Sequence, residues 1–291
     1  MKLNTLRKLI SVVTTVAMLS LSNSSKLVSA ASLNLMGLTD DNTIFLFSPD
    51  DPSQVTAISV TGTDGQLIGI DIRSSDGLLY GITDTNNVYT IDPVTGEATL
   101  KSTLNYPFEG VEMSGFDFNP VPDRLRLVGG NNQNFRNNVD NGMVADYDAN
   151  AEGLQTDKDL TYADGDPNAG ADPHITAAAY TNSFPGPPSP PDVTPPTRTT
   201  QLFGIDSELD VLVLQNPPND GVLQTIGSLG IDFSETGGFD IFSTEDGENV
   251  AFAASGSTVY SINLSDGSAT PIGTIGDGNM TIIGLATALT P

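Results

Sequence analysis

Three aspartates, Asp71, Asp117 and Asp240, each follow a glycine and one apolar residue, in Gly69-Ile-Asp-Ile72, Gly115-Phe-Asp-Phe118 and Gly238-Phe-Asp-Ile241. Carboxylates gathered by a repeat can bind a cation through hard oxygen ligands. Two of them roughly 5–10 Å apart can also supply the acid and base of a glycosidase. A third use is architectural, each carboxylate accepting backbone N–H groups of a neighbouring element, because buried polar groups must find partners. Recurrence favours this last use, since a repeat distributes one interaction around a fold whereas an active site is built once. Asp71, Asp117 and Asp240 are therefore catalytic candidates only in the alternative reading of a glycan-active hydrolase.

A second group is Asp164-Gly-Asp-Pro-Asn168 with Asp172, whose alternating oxygens resemble the start of a calcium loop. Asp164, Asp166, Asn168 and Asp172 are the candidate metal ligands, and calcium the candidate cofactor. A full EF-hand is excluded, because Ala169 stands at its sixth position and Ile175 at its twelfth. Asx-rich turns account for the same letters. The amide-rich stretch 133–141 offers Gln133, Asn134 and Arg136 as candidate binding residues for a polar ligand, with a plain turn as the competing account.

Nucleophilic chemistry has little to work with. The chain has one histidine, His174, no cysteine and no Gly-x-Ser-x-Gly elbow, so neither a supported catalytic triad nor a zinc site with the usual nitrogen and sulfur ligands can be assembled. Sugar sites usually need aromatic platforms, and there is no tryptophan. Tyr80, Tyr89, Phe118, Phe239 and Tyr260 sit in alternating runs where core packing is the default. Tyr147, Tyr162 and Phe135 fall in less regular segments and are the better platforms.

The elements that must position these groups are strands. Helical periodicity is absent beyond the N-terminal thirty residues, and short alternating runs bounded by Gly, Pro, Asn and Asp recur instead. Five related segments punctuate the chain: the three Gly-x-Asp segments, Ala177-Ala-Ala-Tyr180 and Gly284-Leu-Ala-Thr287. Their spacings of 46, 62, 61 and 46 residues, each interval reading as one marker and its following strands, match the blades of a β-propeller. The marker is then the innermost strand of each blade. The last marker has no strands after it and the first strands, from Leu33, have no marker before them, so the two ends complete one blade. The expectation is an all-β fold, a β-propeller of five four-stranded blades, with a six-bladed ring or a β-sandwich as alternatives. The Pro-rich stretch 184–198 reads as a solvated loop inserted between strands.

Residues 1–30 read as a signal peptide. Lys2, Arg7 and Lys8 precede an apolar run too short for a comfortable membrane span, and Val28-Ser-Ala30 offers a cleavage site. Cleavage leaves residues 31–291 as a single propeller domain with seven basic residues against 36 acidic ones, a net charge of −29. Such a surface repels nucleic acid and anionic lipid. Without cysteine, burial alone must hold the fold.

Several stretches resemble an exported bacterial family. Gly115-Phe-Asp-Phe-Asn-Pro120 with Asp123-Arg-Leu-Arg126, Gly165-Asp-Pro-Asn-Ala-Gly170, Ala177-Ala-Ala-Tyr-Thr-Asn182 and Gln215-Asn-Pro-Pro-Asn-Asp-Gly221 are similar to the family catalogued as domain of unknown function 4394. The similarity runs from about Leu35 to Ala288. It implies an exported propeller-like repeat domain and supplies no catalytic residue. Together these readings point to an exported, acidic binding or scaffold module that acts on an extracellular protein or glycan and is secreted, periplasmic or on the cell surface. No nucleic acid and no integral membrane span are expected for the mature chain.

Overall fold

The computed structural model describes residues 32–110, 114–194 and 196–290. Residues 1–30, which read as a signal peptide, lie outside the described residues. Among the described residues twenty-one strands form five sheets, antiparallel but for one short parallel strand, and each sheet is one blade of a propeller. Blade I combines β1 (Ser32–Thr39), β2 (Thr43–Ser48) and β3 (Asp51–Ser59) with the last strand of the chain. Blade II is β4 (Leu67–Ile72), β5 (Leu79–Thr83), β6 (Asn87–Ile91) and β7 (Ala98–Thr103). Blade III is β8 (Ser114–Asn119), β9 (Arg124–Gly129), β10 (Asn134–Asn138) and β11 (Met143–Val144). Blade IV holds β12 (Thr161–Tyr162), β13 (Ile175–Tyr180), β14 (Leu202–Asp206), β15 (Val211–Gln215) and β16 (Val222–Ser228). Blade V is β17 (Gly237–Ser243), β18 (Asn249–Ser255), β19 (Thr258–Ile262) and β20 (Ala269–Thr274), and β21 (Ile282–Thr290) returns to blade I.

The markers are the innermost strands, β4, β8, β13, β17 and β21, and each packs on the next around the ring. Ring closure is the pairing of β21 with β1, in a register that places Thr287 opposite Leu35 and Leu285 opposite Gly37. Closure gives blade I its innermost strand and pairs the edge of β1 that would otherwise be open. Blade IV departs from the expected four strands. Residues 161–162, in a stretch that reads as irregular, add a fifth strand in parallel to β16. Among the described residues the only helical element is a single 3-10 turn, Pro218–Asp220, and no helix is long and apolar enough to cross a membrane.

Five hydrophobic clusters lie between neighbouring blades, so both faces of each sheet are buried. Leu38, Ile70 and Ile91 join blades I and II, and Tyr80, Phe118 and Phe135 join II and III. Val128, Tyr180 and Val213 join III and IV, Phe203, Phe239 and Ile241 join IV and V, and Phe47, Phe252 and Leu285 close the ring. Burial on both faces explains why β5, β13 and β14 are buried along their whole length. Tyr80, Tyr89, Phe118 and Phe239 are core residues, as their alternation implies.

Near the axis the inner strands approach so closely that side chains are excluded. A methyl group built on Gly69 would stand 2.5 Å from Cβ of Phe116, one on Gly115 2.6 Å from Cβ of Ala178, and one on Gly238 2.5 Å from Cβ of Leu285. Each glycine thus faces the inner strand of the following blade. Gly284 is roomier, its nearest neighbour Cβ of Leu38 at 3.5 Å. Gly115→Ala is expected to cost about 1–3 kcal/mol through overpacking, read as a lower melting temperature, while Gly284→Ala leaves the melt nearly unchanged. Equal melts for the two variants would contradict this account of the axis.

Candidate functional site

The repeat spacing places Asp71, Asp117 and Asp240 two residues beyond these glycines, on the same strand face and therefore toward the same neighbour. The backbone amide of Phe118 donates to Asp71 Oδ2 at 2.8 Å, that of Tyr180 to Asp117 Oδ1 at 3.2 Å, and that of Thr287 to Asp240 Oδ2 at 2.5 Å. Each carboxylate thus ties its inner strand to the inner strand of the next blade. Asp71 and Asp240 also accept the amide of the residue that follows them, Ile72 and Ile241, each at 2.6 Å. Ala179 and Ala286 hold the equivalent positions of the other two blades, so two of the five junctions lack this tie.

The three carboxylates converge on the axis, with one oxygen from each within 4.8 Å of the others. All three are buried. Burial, with the charge of Asp240 added, pushes the carboxyl of Asp71 well above the ordinary carboxylate range. Burial and the charges of Asp71 and Asp240 do the same to Asp117. Asp240 is pushed by burial to about 6, held back by the amides of Thr287 and Ile241. The cluster is therefore a set of carboxyls biased toward the protonated form and locked by main-chain donors. Among the described residues it is the one set of three carboxylates close enough to hold a metal ion. It is also too compact to leave a water between an acid and a base as an inverting glycosidase does.

Below the carboxylates the channel is closed by glycines and small residues, including Gly69, Gly115, Gly238 and Gly284. Above them it widens into a cavity of about 280 Å³. Asp71 and Asp240 lie at its base beside Ser74, Ser183, Ser243 and Thr287, with Ile72, Phe184, Pro185, Phe242 and Leu289 as apolar wall. Phe184 and Pro185 come from the Pro-rich stretch between β13 and β14, whose described prolines are exposed and which is also pinned across the mouth of the channel. The amide of Gly186 donates to the carbonyl of Ser74 in blade II and that of Ser189 to the carbonyl of Val121 in blade III, both at 2.9 Å. Arg198 is buried beneath it, its guanidinium 4.0 Å from the centre of the Phe184 ring.

The other candidates sit elsewhere. Asn134 is fully buried on β10, accepting from Arg126 Nη1 at 2.7 Å and donating to the carbonyls of Lys158 and Pro218. Arg136 is paired with Asp157 at 2.6 Å, and Gln133 accepts the amide of Glu109. These polar groups are turned to internal partners. Asp166 accepts both the amide and the hydroxyl of Thr225 at 2.7 Å, Asn168 donates to the same hydroxyl, and Asp172 accepts from Asn132. Asp164, Asp166 and Asp172 are not drawn into one ligand shell. Phe135 and Tyr162, expected as platforms, are buried instead, because β10 and β12 extend the sheets through residues that read as loop. Tyr147 is partly exposed, with Lys158 Nζ 5.1 Å above its ring. His174 places Nδ1 3.3 Å from the Ser207 hydroxyl, and its Nε2 lies against Gly130.

The least legible feature is a buried ionic network between blades III and IV. Arg126 donates to Asp157, Asn134, Asn219 and the Tyr180 hydroxyl, and Asp157 is fully buried between Arg126 and Arg136. Asp157→Ala leaves Arg126 buried without its counter-charge and is expected to cost about 3–5 kcal/mol, measured by denaturant unfolding.

The aspartate cluster sets a pH dependence of its own. A carboxyl whose folded-state pKa is raised adds stability in full below its unfolded value, near 3.8, and loses it as pH rises through the folded value, about 6 for Asp240; Asp71 and Asp117, raised by burial and by their charged neighbours, act in the same direction. Asp140, held down to about 2 chiefly by hydrogen bonds from Arg73, acts oppositely and loses its contribution only as pH falls below 3.8. The melting temperature is therefore expected to be higher at pH 5 than at pH 8. Asp117→Asn keeps the Tyr180 bond and removes the repulsion, so it should raise the melt at pH 8 by about 2–4 °C per kcal/mol regained and flatten the profile. A rise in melting temperature from pH 5 to pH 8 would refute this.

Comparison with solved structures finds low-identity likenesses. A protein of unknown function from Bacteroides thetaiotaomicron aligns at 14% identity and a TM-score of 0.44, over 83% of this chain and 64% of that one. A protein of unknown function from Bacteroides caccae aligns at 9% identity and a TM-score of 0.40, over 86% and 74% of the two chains. A protein named an auxiliary nutrient binding protein, from Bacteroides thetaiotaomicron, aligns at 14% identity and a TM-score of 0.39, over 76% and 56%. The chain thus spans less than two thirds of the first of these and of the nutrient binding protein. No curated protein matches. The family model described as domain of unknown function 4394 matches residues 43–286, and the chain belongs to that family.

Proposed function

We propose that this chain is an exported, non-enzymatic binding module that receives an extracellular or cell-surface ligand, a glycan or a protein group, at the mouth of its central channel. The observation that carries the reading is the division of the channel. Its carboxylates are held by main-chain amides, while the widened mouth above them is a cavity of about 280 Å³ with hydroxyl, carboxylate and aromatic lining. A general acid and base must flank a scissile bond from opposite sides, which three carboxyls gathered within 4.8 Å on the axis do not do, whereas a ligand seat needs only a concave surface with a few fixed polar groups. The loop pinned over the mouth adds a wall that the blade repeat alone does not provide. Export is supported by the composition of residues 1–30, and the charge of the mature chain speaks against nucleic acid and anionic membranes as partners.

Calcium stabilisation is the remaining part of this reading, supported by the acidity of the chain and by its two aspartate groups. A saturable rise in melting temperature on calcium addition after chelation is the expected result. Its loss in Asp166→Asn would place the ion at the loop, and its loss in Asp117→Asn would place it in the channel. No shift with a cooperative melt would remove calcium from the reading.

The module itself is tested with a panel of bacterial and plant glycans and with cell-surface protein extracts fractionated on the immobilised chain. The expected outcome is retention without release of reducing sugar, with the retained ligand lost in Leu289→Trp, which fills the mouth from an exposed position. Turnover that disappears in Asp71→Asn or Asp240→Asn while the fold persists would establish a hydrolase instead.

A further inference from the structure

The mouth cavity has an uneven chemistry. Its charged lining residues are Asp71 and Asp240, and no lysine, arginine or histidine is among the residues that line it. Two aromatic rings, Phe184 and Phe242, stand in its wall with Ile72, Pro185 and Leu289. We propose that the cavity binds a small organic cation, a molecule with a primary ammonium group on a short apolar body. This inference rests on the binding-module reading and adds the class of ligand to it.

An ammonium group is attracted both to carboxylates and to the face of an aromatic ring. A carboxylate or phosphate ligand would meet two aspartates and no compensating base. A bare metal ion gains nothing from Phe184, Phe242 and Leu289, whereas the apolar body of an organic cation covers them. The geometry at the base fits an ammonium. Oxygens of Asp71 and Asp240 lie no more than 4.8 Å apart, so a nitrogen about 2.9 Å from each would see them at an angle of at most about 112°, near the tetrahedral spread of its N–H bonds. The main-chain amides use one acceptor direction on each oxygen of these two residues, and a carboxylate oxygen has two.

A further feature supports the assignment. The mutual repulsion of the buried aspartates is relieved by a positive charge placed between them, so ligand binding and relief of that repulsion act in the same direction.

The test uses the ¹⁵N-labelled full chain at constant ionic strength, titrated in turn with butylammonium, 1-pentanol and butyrate and followed at the amides of Ile72, Ser74, Ser243 and Thr287. Butylammonium is expected to give saturable shifts, with an affinity at least about tenfold above that of 1-pentanol, and butyrate none. Leu289→Lys, at the exposed rim, is expected to weaken butylammonium about tenfold more than Leu289→Gln does, since both lose the apolar contact and only lysine adds a like charge, and Asp240→Asn to abolish its binding. The Leu289 pair keeps the result independent of any loss of fold in Asp240→Asn. Equal affinity for butylammonium and 1-pentanol would overturn the cation assignment and leave the cavity a binding site. Absence of shifts with every probe also overturns it, and the binding module is then judged on glycan and protein retention alone.

Discussion

Everything in this fold depends on five inner strands meeting around one axis with almost no room for side chains. Glycine solves half of the problem by giving up its side chain where Gly69, Gly115 and Gly238 face the next strand. The aspartate two residues on solves the other half. Neighbouring inner strands of a propeller are not paired as a ladder, so some of their amides need other acceptors, and Asp71, Asp117 and Asp240 supply them across the blade junctions. The arrangement has an inherent cost, because symmetry that places one acceptor per blade also brings like charges together. Two blades carry alanine instead, at Ala179 and Ala286, which limits the crowding to three carboxylates.

The outer parts of the blades are held differently. Apolar clusters fill every junction between blades, and the III–IV junction adds the Arg126–Asp157 network. A buried ion pair is weak support for stability in itself but strongly specifies which groups must meet. Here it fixes the segment around Asp157 against β9 and β10, which is how the chain crosses from blade III to blade IV through a long stretch of little regular structure.

The architecture was legible because its signals are local and repeated. The Gly-x-Asp markers, the spacing between them and the unmatched strands at the two ends lead to five blades closed by β21 on β1. The backbone-acceptor role of the aspartates was legible for the same reason, since recurrence itself argues for architecture. What could not be read depends on partners remote in sequence. Arg126 reaches Asn219, 93 positions away, and Ser74 meets Ser183 across 109. Nothing local in Asn134 or Arg136 distinguishes an internal network from a ligand site. The Pro-rich composition of 184–198 signals exposed backbone, but the anchoring of Gly186 and Ser189 is decided by blades II and III. Phe135 and Tyr162 were misleading because amide- and aspartate-rich surroundings mask short strands.

The seam between β1 and β21 also orders events in time. Synthesis delivers the strands of blade I first and their innermost strand last, with the whole of the other four blades between them. Until Ile282–Thr290 exists, β1 presents an open edge, and Asp240 lacks the amide of Thr287. The loop that this pairing closes spans nearly the entire described chain, and contacts of such sequence separation form slowly. A chain that stops short of β21 therefore keeps β1 as an exposed edge open to unwanted pairing.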